Sequence, residues 1–194
     1  MLSAAREELL LAACLLPFAE ADLRQPLAAE VSVTDASLWG GAGGVGVPKA
    51  HGPTSSELLA NCVMSGQSWE AFDCSLFTWT VKHRYAWKHE NDITLLEAHA
   101  FLLWLRKRFR DVKNLNSKFF HLFDSQAAAG AFRKGRSSSL RMNRVLRRAA
   151  ALLIFARSRA FSLWTTTDQM PMDKASRFYQ PKRKVGSVRE GRGS

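Results

Sequence analysis

Four carboxylates occupy positions in the sequence from which they could form one metal-binding cluster. Asp35 ends the first predicted strand, Glu97 lies in the first long helix, Asp124 ends a later strand, and Asp173 starts the last helix. Because functional groups gather at the carboxyl ends of strands in open α/β sheets, Asp35 and Asp124 would be adjacent if their strands pair. Such a cluster repels itself unless divalent cations neutralise it, and oxygen-only ligands suit Mg²⁺ or Mn²⁺. Two such ions can stabilise both the attacking and the leaving oxygen of a phosphodiester.

Each of these carboxylates also has an ordinary structural interpretation. Asp35 could cap a turn, because its segment reads Asp-Ala-Ser-x-x-Gly. Glu97 could be an exposed residue of its helix, although it lies within a strongly apolar run. Asp124 could cap the helix that follows it. Asp173 could cap its own helix or pair with Arg177, four residues later.

The elements that would position the carboxylates follow from hydrophobic periodicity and turn residues. Predicted strands cover residues 31–35, 45–47, 77–81, 118–123 and 160–165. Predicted helices cover residues 4–17, 55–63, 93–110, 127–132 and 139–156, and a last one begins at 173. The main elements run in the order β-β-β-α-β-α-α-β-α. This order predicts an α/β domain with a mixed sheet of about five strands flanked by helices.

Two further patterns favour a structural interpretation. The glycine-rich stretch 40–46 has neither the Gly-Lys-Ser/Thr ending of a phosphate-binding loop nor a GxGxxG pattern with an acidic partner, so it predicts a hairpin of small residues. His83 and His89 flank two aromatic residues, Tyr85 and Trp87. This group could contact nucleic acid, but the pattern favours a partly exposed loop.

Charge is distributed unevenly along the 194 residues. Residues 1–100 hold 6 Lys/Arg and 12 Asp/Glu, whereas residues 101–194 hold 22 and 5. The basic half indicates a partner with dense negative charge, of which nucleic acid is the commonest. Three cysteines without metal-type spacing fit a reducing, intracellular compartment. The longest apolar run, 9–19, is too short to span a membrane, so no membrane partner is expected.

Four motifs, in this order, resemble the ribonuclease H domain of retroelement reverse transcriptases, with DIRS-like and related elements the most similar. They are VTDAS at 33–37 with the following glycines, ITLLEAHAFLLWLRKR at 93–108, HLFDSQAAAGAFRKGRSSS at 121–139, and TTDQMPMDKASR at 166–177. Each motif alone is weak, but the ordered set is fairly specific. The resemblance covers about residues 30–178.

The resemblance implies a metal-dependent endonuclease that hydrolyses the RNA strand of RNA–DNA hybrids. It makes Asp35 the ligand that bridges two Mg²⁺ ions, for which Mn²⁺ can substitute. Glu97 and Asp124 complete one metal site, and Asp173 holds the other ion with the attacking water. The resemblance further implies a polymerase domain in a longer polyprotein. The nucleic-acid contacts that it implies fall on Ser37, Ser125, Gln126, Arg136, Ser137 and Ser138, and Ser139 lies in the same serine run.

The sequence also departs from the family pattern. The last motif usually reads Asn-Pro-Ala-Asp but here reads Met-Pro-Met-Asp, and Asp168 is a rival to Asp173 as the fourth carboxylate. Catalytic inactivity with retained nucleic-acid binding is therefore one alternative, and a transposase- or integrase-like nuclease with three carboxylates is another. The predicted organisation is an N-terminal helix and connecting segment at 1–29, the ribonuclease H-like domain at 30–178 with an insertion-like region at 48–88, and a basic disordered tail at 179–194.

Overall fold

The computed structural model describes residues 2–16, 24–64, 71–89 and 91–181. Its strands are β1 (Leu27–Ala36), β2 (Gly40–Pro48), β3 (Phe77–Ala86), β4 (Lys118–Phe123) and β5 (Arg159–Trp164). Its α-helices are α1 (Leu2–Leu15), α2 (Ser55–Met64), α3 (Ile93–Arg108), α4 (Gln126–Lys134), α5 (Leu140–Phe155) and α6 (Asp173–Ser176). Within the described residues, none of the helices is both long and apolar enough to cross a membrane. Most of the predicted tail, from residue 182 onward, lies outside the described residues.

The five strands form one mixed sheet in the order β3-β2-β1-β4-β5. β1, β2 and β3 pair as antiparallel neighbours, while β4 runs parallel to both β1 and β5. The predicted fold class, a five-stranded mixed sheet flanked by helices, is confirmed. Because β1 and β4 are parallel neighbours at the centre of the sheet, the residues that follow their carboxyl ends meet at the same edge.

Helices cover both faces of the sheet. On one face, α3, α4 and α5 pack their apolar side chains into a core with Phe119 and Phe123 of β4. On the other face, Met172 and Ala175 of the α6 region pack against Val31 and Val33 of β1. β4 is buried along almost its whole length, which accounts for its nearly continuous apolar sequence. The two central strands are therefore held rigidly between the layers.

The glycines of β2 belong to the strand itself, which is longer than the predicted 45–47. A Cβ at Gly41 would overlap the Tyr85 ring, and one at Gly43 would overlap the ring of His83. Glycine at these two positions therefore lets aromatic side chains of β3 lie flat on β2. The same contacts show that β3 continues beyond the predicted end at residue 81. The loop prediction was wrong for His83 and Tyr85, which are half-buried strand residues.

Candidate metal centre

Asp35 and Asp124 lie beside each other because of the register of the parallel strands. Val33 of β1 is opposite Leu122 of β4, and each carboxylate follows two residues later on its chain. Asp35 is buried, with 2% of its surface exposed, and Asp124 is half-buried at the start of the α4 turn. The Asp124 carbonyl accepts a hydrogen bond from the Trp164 Nε1 at 2.9 Å, which fixes the end of β4 against β5.

Glu97 reaches the same place from α3. Asp92 caps this helix by accepting a hydrogen bond from the Thr94 amide at 3.0 Å, so Glu97 comes in the second turn. Its side chain is buried, and Glu97 Oε1 accepts a hydrogen bond from the Ala36 amide at 2.8 Å. This bond ties the helix to the residue that follows Asp35. The alternative of an exposed helix residue does not fit Glu97.

Oxygens of the three carboxylates converge. One from each of Asp35, Glu97 and Asp124 lies within 4.8 Å of the other two. Each residue also has a buried oxygen that finds no hydrogen-bond partner in the described part of the chain: Asp35 Oδ2, Glu97 Oε2 and Asp124 Oδ1. Buried oxygens of this kind cost free energy unless something pairs with them. An all-oxygen donor set with unpaired oxygens fits a hard divalent cation such as Mg²⁺ or Mn²⁺.

The pKa values of the three carboxyl groups also indicate that their charges are not neutralised by the described residues. The pKa of Asp35 is raised to about 7, chiefly by burial and also by the carboxylates of Asp124 and Asp173, against a lowering hydrogen bond from Ser176. Burial, then Asp124 and Asp35, raises the pKa of Glu97 well above its ordinary value. The pKa of Asp124 is raised by burial and by Asp173. A cation among these groups would favour their charged forms.

Asp173 lies at the rim of the cluster, close enough to raise the pKa of both Asp35 and Asp124. Its Oδ1 accepts a hydrogen bond from Arg177 Nε at 2.8 Å and forms an ion pair with Arg177 Nη2 at 2.7 Å. The i,i+4 pairing considered from the sequence is thus present, and it coexists with proximity to the other acids. The rival Asp168 is an exposed residue of a 3₁₀ turn, Thr167–Gln169. Of the two rivals, Asp173 is the one whose charge raises the pKa of residues in the cluster.

The three predicted nucleic-acid contacts nearest the cluster differ in accessibility. Ser37 is buried, and its hydroxyl donates to the Ser176 carbonyl at 2.9 Å while it accepts from the Gly40 amide at 3.2 Å. This placement does not support a direct contact with a substrate. Ser125 caps α4 by accepting from the Ala128 amide at 3.2 Å. Gln126, at the start of that helix, is exposed.

The remaining predicted contacts lie at the other end of α4. Arg136 and Ser138 are exposed in the loop between α4 and α5, and Ser137 is half-buried. Reciprocal hydrogen bonds of 2.8 Å between Ser137 and Asn143 fix this loop. Because α4 has nine residues and rises about 1.5 Å per residue, the loop is separated from Asp124 by roughly 13 Å along the helix. Contacts made there would involve a different phosphate from the one at the carboxylates.

The sequence named two further residues without placing them at the cluster: Arg177 only as a partner of Asp173, and Tyr85 only as a neighbour of His83. Arg177 reduces the repulsion among the acids, because its charge lowers the pKa of Asp35. Tyr85 is close enough to Glu97 and Asp35 that their charges add to the effect of burial and raise its pKa. The signal for Tyr85 was the glycine-rich segment, since Gly41 leaves room for a ring from the neighbouring strand.

The comparisons with known proteins give structural likeness only. No family model matches the chain, and no curated protein matches it. Among solved structures, the chain is similar to RNase H1 from the halophilic archaeon Halobacterium salinarum NRC-1, with 12% identity and a TM-score of 0.42, covering 75% of this chain and 92% of that one. It is also similar to a foamy viral protease-reverse transcriptase in complex with RNA/DNA hybrid, with 12% identity and a TM-score of 0.44. That match covers 82% of this chain but 21% of the viral protein.

Proposed function

We propose that the chain is a metal-dependent nuclease of the ribonuclease H type, which hydrolyses the RNA strand of RNA–DNA hybrids. The observation that carries the proposal is the convergence of Asp35, Glu97 and Asp124, each with an unpaired buried oxygen, at the carboxyl edge of a mixed sheet. Their spacing in the sequence and their order agree with the resemblance. The reaction would take place inside the cell, where such hybrids form.

The proposed roles of the residues, in holding metal or contacting substrate, follow from their positions in the site. Asp35, Glu97 and Asp124 would hold Mg²⁺, and Asp173 would complete a second ion site at the rim. The ions would supply Lewis-acid stabilisation of the attacking and leaving oxygens of the phosphodiester. The Ala36 amide keeps Glu97 oriented toward the cluster through its bond to Oε1. Gln126 would contact the substrate from the exposed start of α4.

The basic half of the chain would bind the substrate backbone. Arg141, Arg144 and Arg148 are exposed on α5, and Arg136 is exposed in the preceding loop. Side chains of this type contact phosphates without reading sequence. An A-form-like hybrid offers closely spaced phosphates together with the 2′-hydroxyls that distinguish RNA from DNA. This charge distribution supports a nucleic acid as the partner.

We further propose that the chain derives from a retroelement reverse transcriptase, with a polymerase domain as its original partner. The support is the order of the four motifs, from Asp35 in the first to Asp173 in the last.

The decisive experiment is cleavage of a hybrid whose RNA strand is labelled, in Mg²⁺ and separately in Mn²⁺. The wild type should release labelled RNA fragments, and Asp124→Asn should reduce the rate at least a hundredfold while its melting temperature stays close to that of the wild type. Asp168→Asn, which changes an exposed carboxylate, is the matched control and should cleave at the wild-type rate. Equal cleavage by Asp124→Asn and wild type would overturn the proposal.

A second candidate function is a DNA nuclease with three carboxylates, as in transposase-like enzymes. The observation in its favour is that Asp173 is held by Arg177, which leaves three carboxylates in the tight cluster. Labelled duplex DNA in the same assay separates the two candidates. Cleavage of DNA ends without cleavage of the hybrid would favour the second.

A further inference from the structure

A groove outside the acidic cluster runs between the edge strand β3 and helix α3. Its volume is about 670 Å³, within the range of sites that hold small ligands or a few nucleotides. Half-buried rings of β3 form its floor, and the last turn of α3 forms one wall. The carboxylates of the proposed metal centre do not line it.

The groove is lined by the rings of His83, Tyr85 and Trp87. The His83 and Tyr85 rings lie in nearly parallel planes, 5.4 Å apart with 22° between planes, whereas Trp87 meets Tyr85 edge-on at 82°. The buried Trp104 ring does not line the groove and packs on His83 at 5.6 Å, with 15° between their planes. Because Gly41 and Gly43 carry no side chain, the rings of Tyr85 and His83 rest directly on β2. Burial and the nearby Lys107 lower the pKa of His83 to about 4, so its ring is neutral at physiological pH. The arrangement is a platform of uncharged ring faces.

The walls of the groove carry positive charge. Lys88 lines it beside β3, Arg106 and Lys107 line it from α3, and Arg110 lines it from the turn that follows this helix. All four side chains are exposed. No carboxylate is found among the described residues that line the groove. Ring faces below and cations above match the two chemical parts of a nucleotide, its base and its phosphate.

We propose that this groove binds unpaired nucleotides of a single-stranded nucleic acid. The bases stack on His83 and Tyr85, and the phosphates contact Lys107 and its basic neighbours on α3. A duplex does not fit this chemistry, since its base faces are covered by neighbouring base pairs. The groove reaches the neighbourhood of the acidic cluster, because it is lined by Leu96, which precedes Glu97 in α3, and by Tyr85, whose pKa the charge of Glu97 helps to raise. A strand that continues unpaired from a duplex at the cluster would enter the groove directly.

The proposal is tested by binding of a labelled oligothymidylate of about ten nucleotides, within the usual site size for single-strand binders. Fluorescence anisotropy is measured in a chelator, so that the result does not depend on metal binding or cleavage. Lys107→Glu should weaken binding about tenfold. The matched control is Lys82→Glu, which makes the same charge change at an exposed β3 position outside the groove lining. Equal weakening by both variants would show non-specific charge attraction and overturn the proposal.

Stacking is tested separately at Tyr85. Tyr85→Leu keeps an apolar side chain over Gly41 but removes the ring, and it should weaken oligothymidylate binding about tenfold, equivalent to roughly 1.4 kcal/mol. Tyr85→Phe keeps the ring face and should bind like the wild type. Melting temperatures establish that both variants fold.

A fully paired hybrid distinguishes unpaired from paired nucleic acid. Its affinity for the protein should change less than twofold in Tyr85→Leu. If Tyr85→Leu binds oligothymidylate as the wild type does, or loses affinity for hybrid and oligothymidylate equally, the groove is not a platform for unpaired bases. Because none of these measurements requires cleavage, a failed nuclease assay would not affect them.

Discussion

At the scale of single residues, Asp35 makes the stability of the metal-free protein depend on pH. Its folded pKa of about 7 lies above the ordinary value of 3.8, chiefly because the side chain is buried. The protonated carboxyl therefore stabilises the fold fully below about pH 3.8, and this contribution is lost as the pH rises through about 7. In a chelator, the wild-type melting temperature should fall between pH 5 and pH 8. The melting temperature of Asp35→Asn should fall less over this range. At pH 8 the variant should melt higher than the wild type, by roughly 2–4 °C for each kcal/mol of difference in the free energy of unfolding.

Mg²⁺ should reverse this order at pH 8, because it stabilises the charged carboxylates of the wild type. The melting temperature of Asp35→Asn should respond less to the ion. Asp168→Asn serves as the control, since its exposed side chain is outside the cluster, and its profile should follow that of the wild type. A wild-type profile that is flat between pH 5 and pH 8 in the chelator would contradict the assignment of Asp35 as a buried, protonated acid.

Arg177 supplies the second prediction at this scale. It holds Asp173 through a hydrogen bond and an ion pair and lowers the pKa of Asp35, so it is a cation that the chain itself supplies to the cluster. A metal ion at the rim must compete with this guanidinium. Arg177→Met should therefore bind Mn²⁺ more tightly at pH 8, by about fivefold, as measured by titration calorimetry. Lys174→Met makes the same charge change at an exposed neighbour and should leave affinity within twofold. Weaker binding by Arg177→Met would show that Arg177 organises the site instead of competing for it.

At the scale of elements, β1 and β4 are joined by a buried polar network beneath the acidic cluster. His121 of β4 lies 2.9 Å from the hydroxyl of Ser32 and 2.9 Å from that of Thr34. Because the Ser32 hydroxyl donates to the Phe120 carbonyl, it accepts from His121 Nδ1, and the Thr34 hydroxyl donates to Nε2. Burial keeps the pKa of His121 well below its ordinary value, so the ring stays neutral in this arrangement. The network holds in register the two strands that carry Asp35 and Asp124.

Removing the imidazole should therefore destabilise the fold. His121→Leu removes the imidazole partner of the Thr34 hydroxyl and leaves the Ser32 hydroxyl with its bond to the Phe120 carbonyl alone. We expect it to lower the free energy of unfolding by about 2 kcal/mol in denaturant titrations. The triple change His121→Leu, Ser32→Ala and Thr34→Val removes all of these polar groups and should recover part of the loss. A triple variant no more stable than His121→Leu would indicate that packing around the ring, and not the hydrogen bonds, accounts for its contribution.

The elements could be predicted from sequence where a local pattern determines them. The buried run at β4 and the three- and four-residue spacing of α5 gave the observed elements within a few residues. The full length of β2 could not be predicted, because glycine has low strand propensity and is accepted there where a Cβ would overlap β3, its rings at Gly41 and Gly43 and its backbone at Gly44. The convergence of Asp35, Glu97 and Asp124 depends on strand order, which no local pattern encodes. Their grouping rested on the topological rule for parallel strands and on family resemblance.

At the scale of the whole molecule, an acidic centre is combined with a basic second half. Residues 101–194 carry 22 Lys/Arg and 5 Asp/Glu, and much of this charge is exposed on α5 and in the loop before it. Phosphates are therefore attracted to the helical layer, whereas the carboxylates repel them unless cations are bound. This separation predicts that affinity for a hybrid comes mainly from counterion release at the basic surface. The carboxylates would then contribute to the reaction more than to binding.

The salt dependence of hybrid binding tests whether the affinity comes mainly from the basic surface. With Asp124→Asn as the background, so that the substrate stays intact, log K against log salt concentration should have a steep negative slope. Adding Arg141→Gln and Arg144→Gln should reduce the slope by about two, because each arginine would neutralise one phosphate. Lys113→Gln is the matched control, because this exposed cation is paired with Asp111 at 3.1 Å outside α5, and the slope should be unchanged. A slope that responds equally to Lys113 and to the α5 arginines would mean that the hybrid is attracted by net charge alone. The arginines of α5 would then not orient the substrate over the carboxylates.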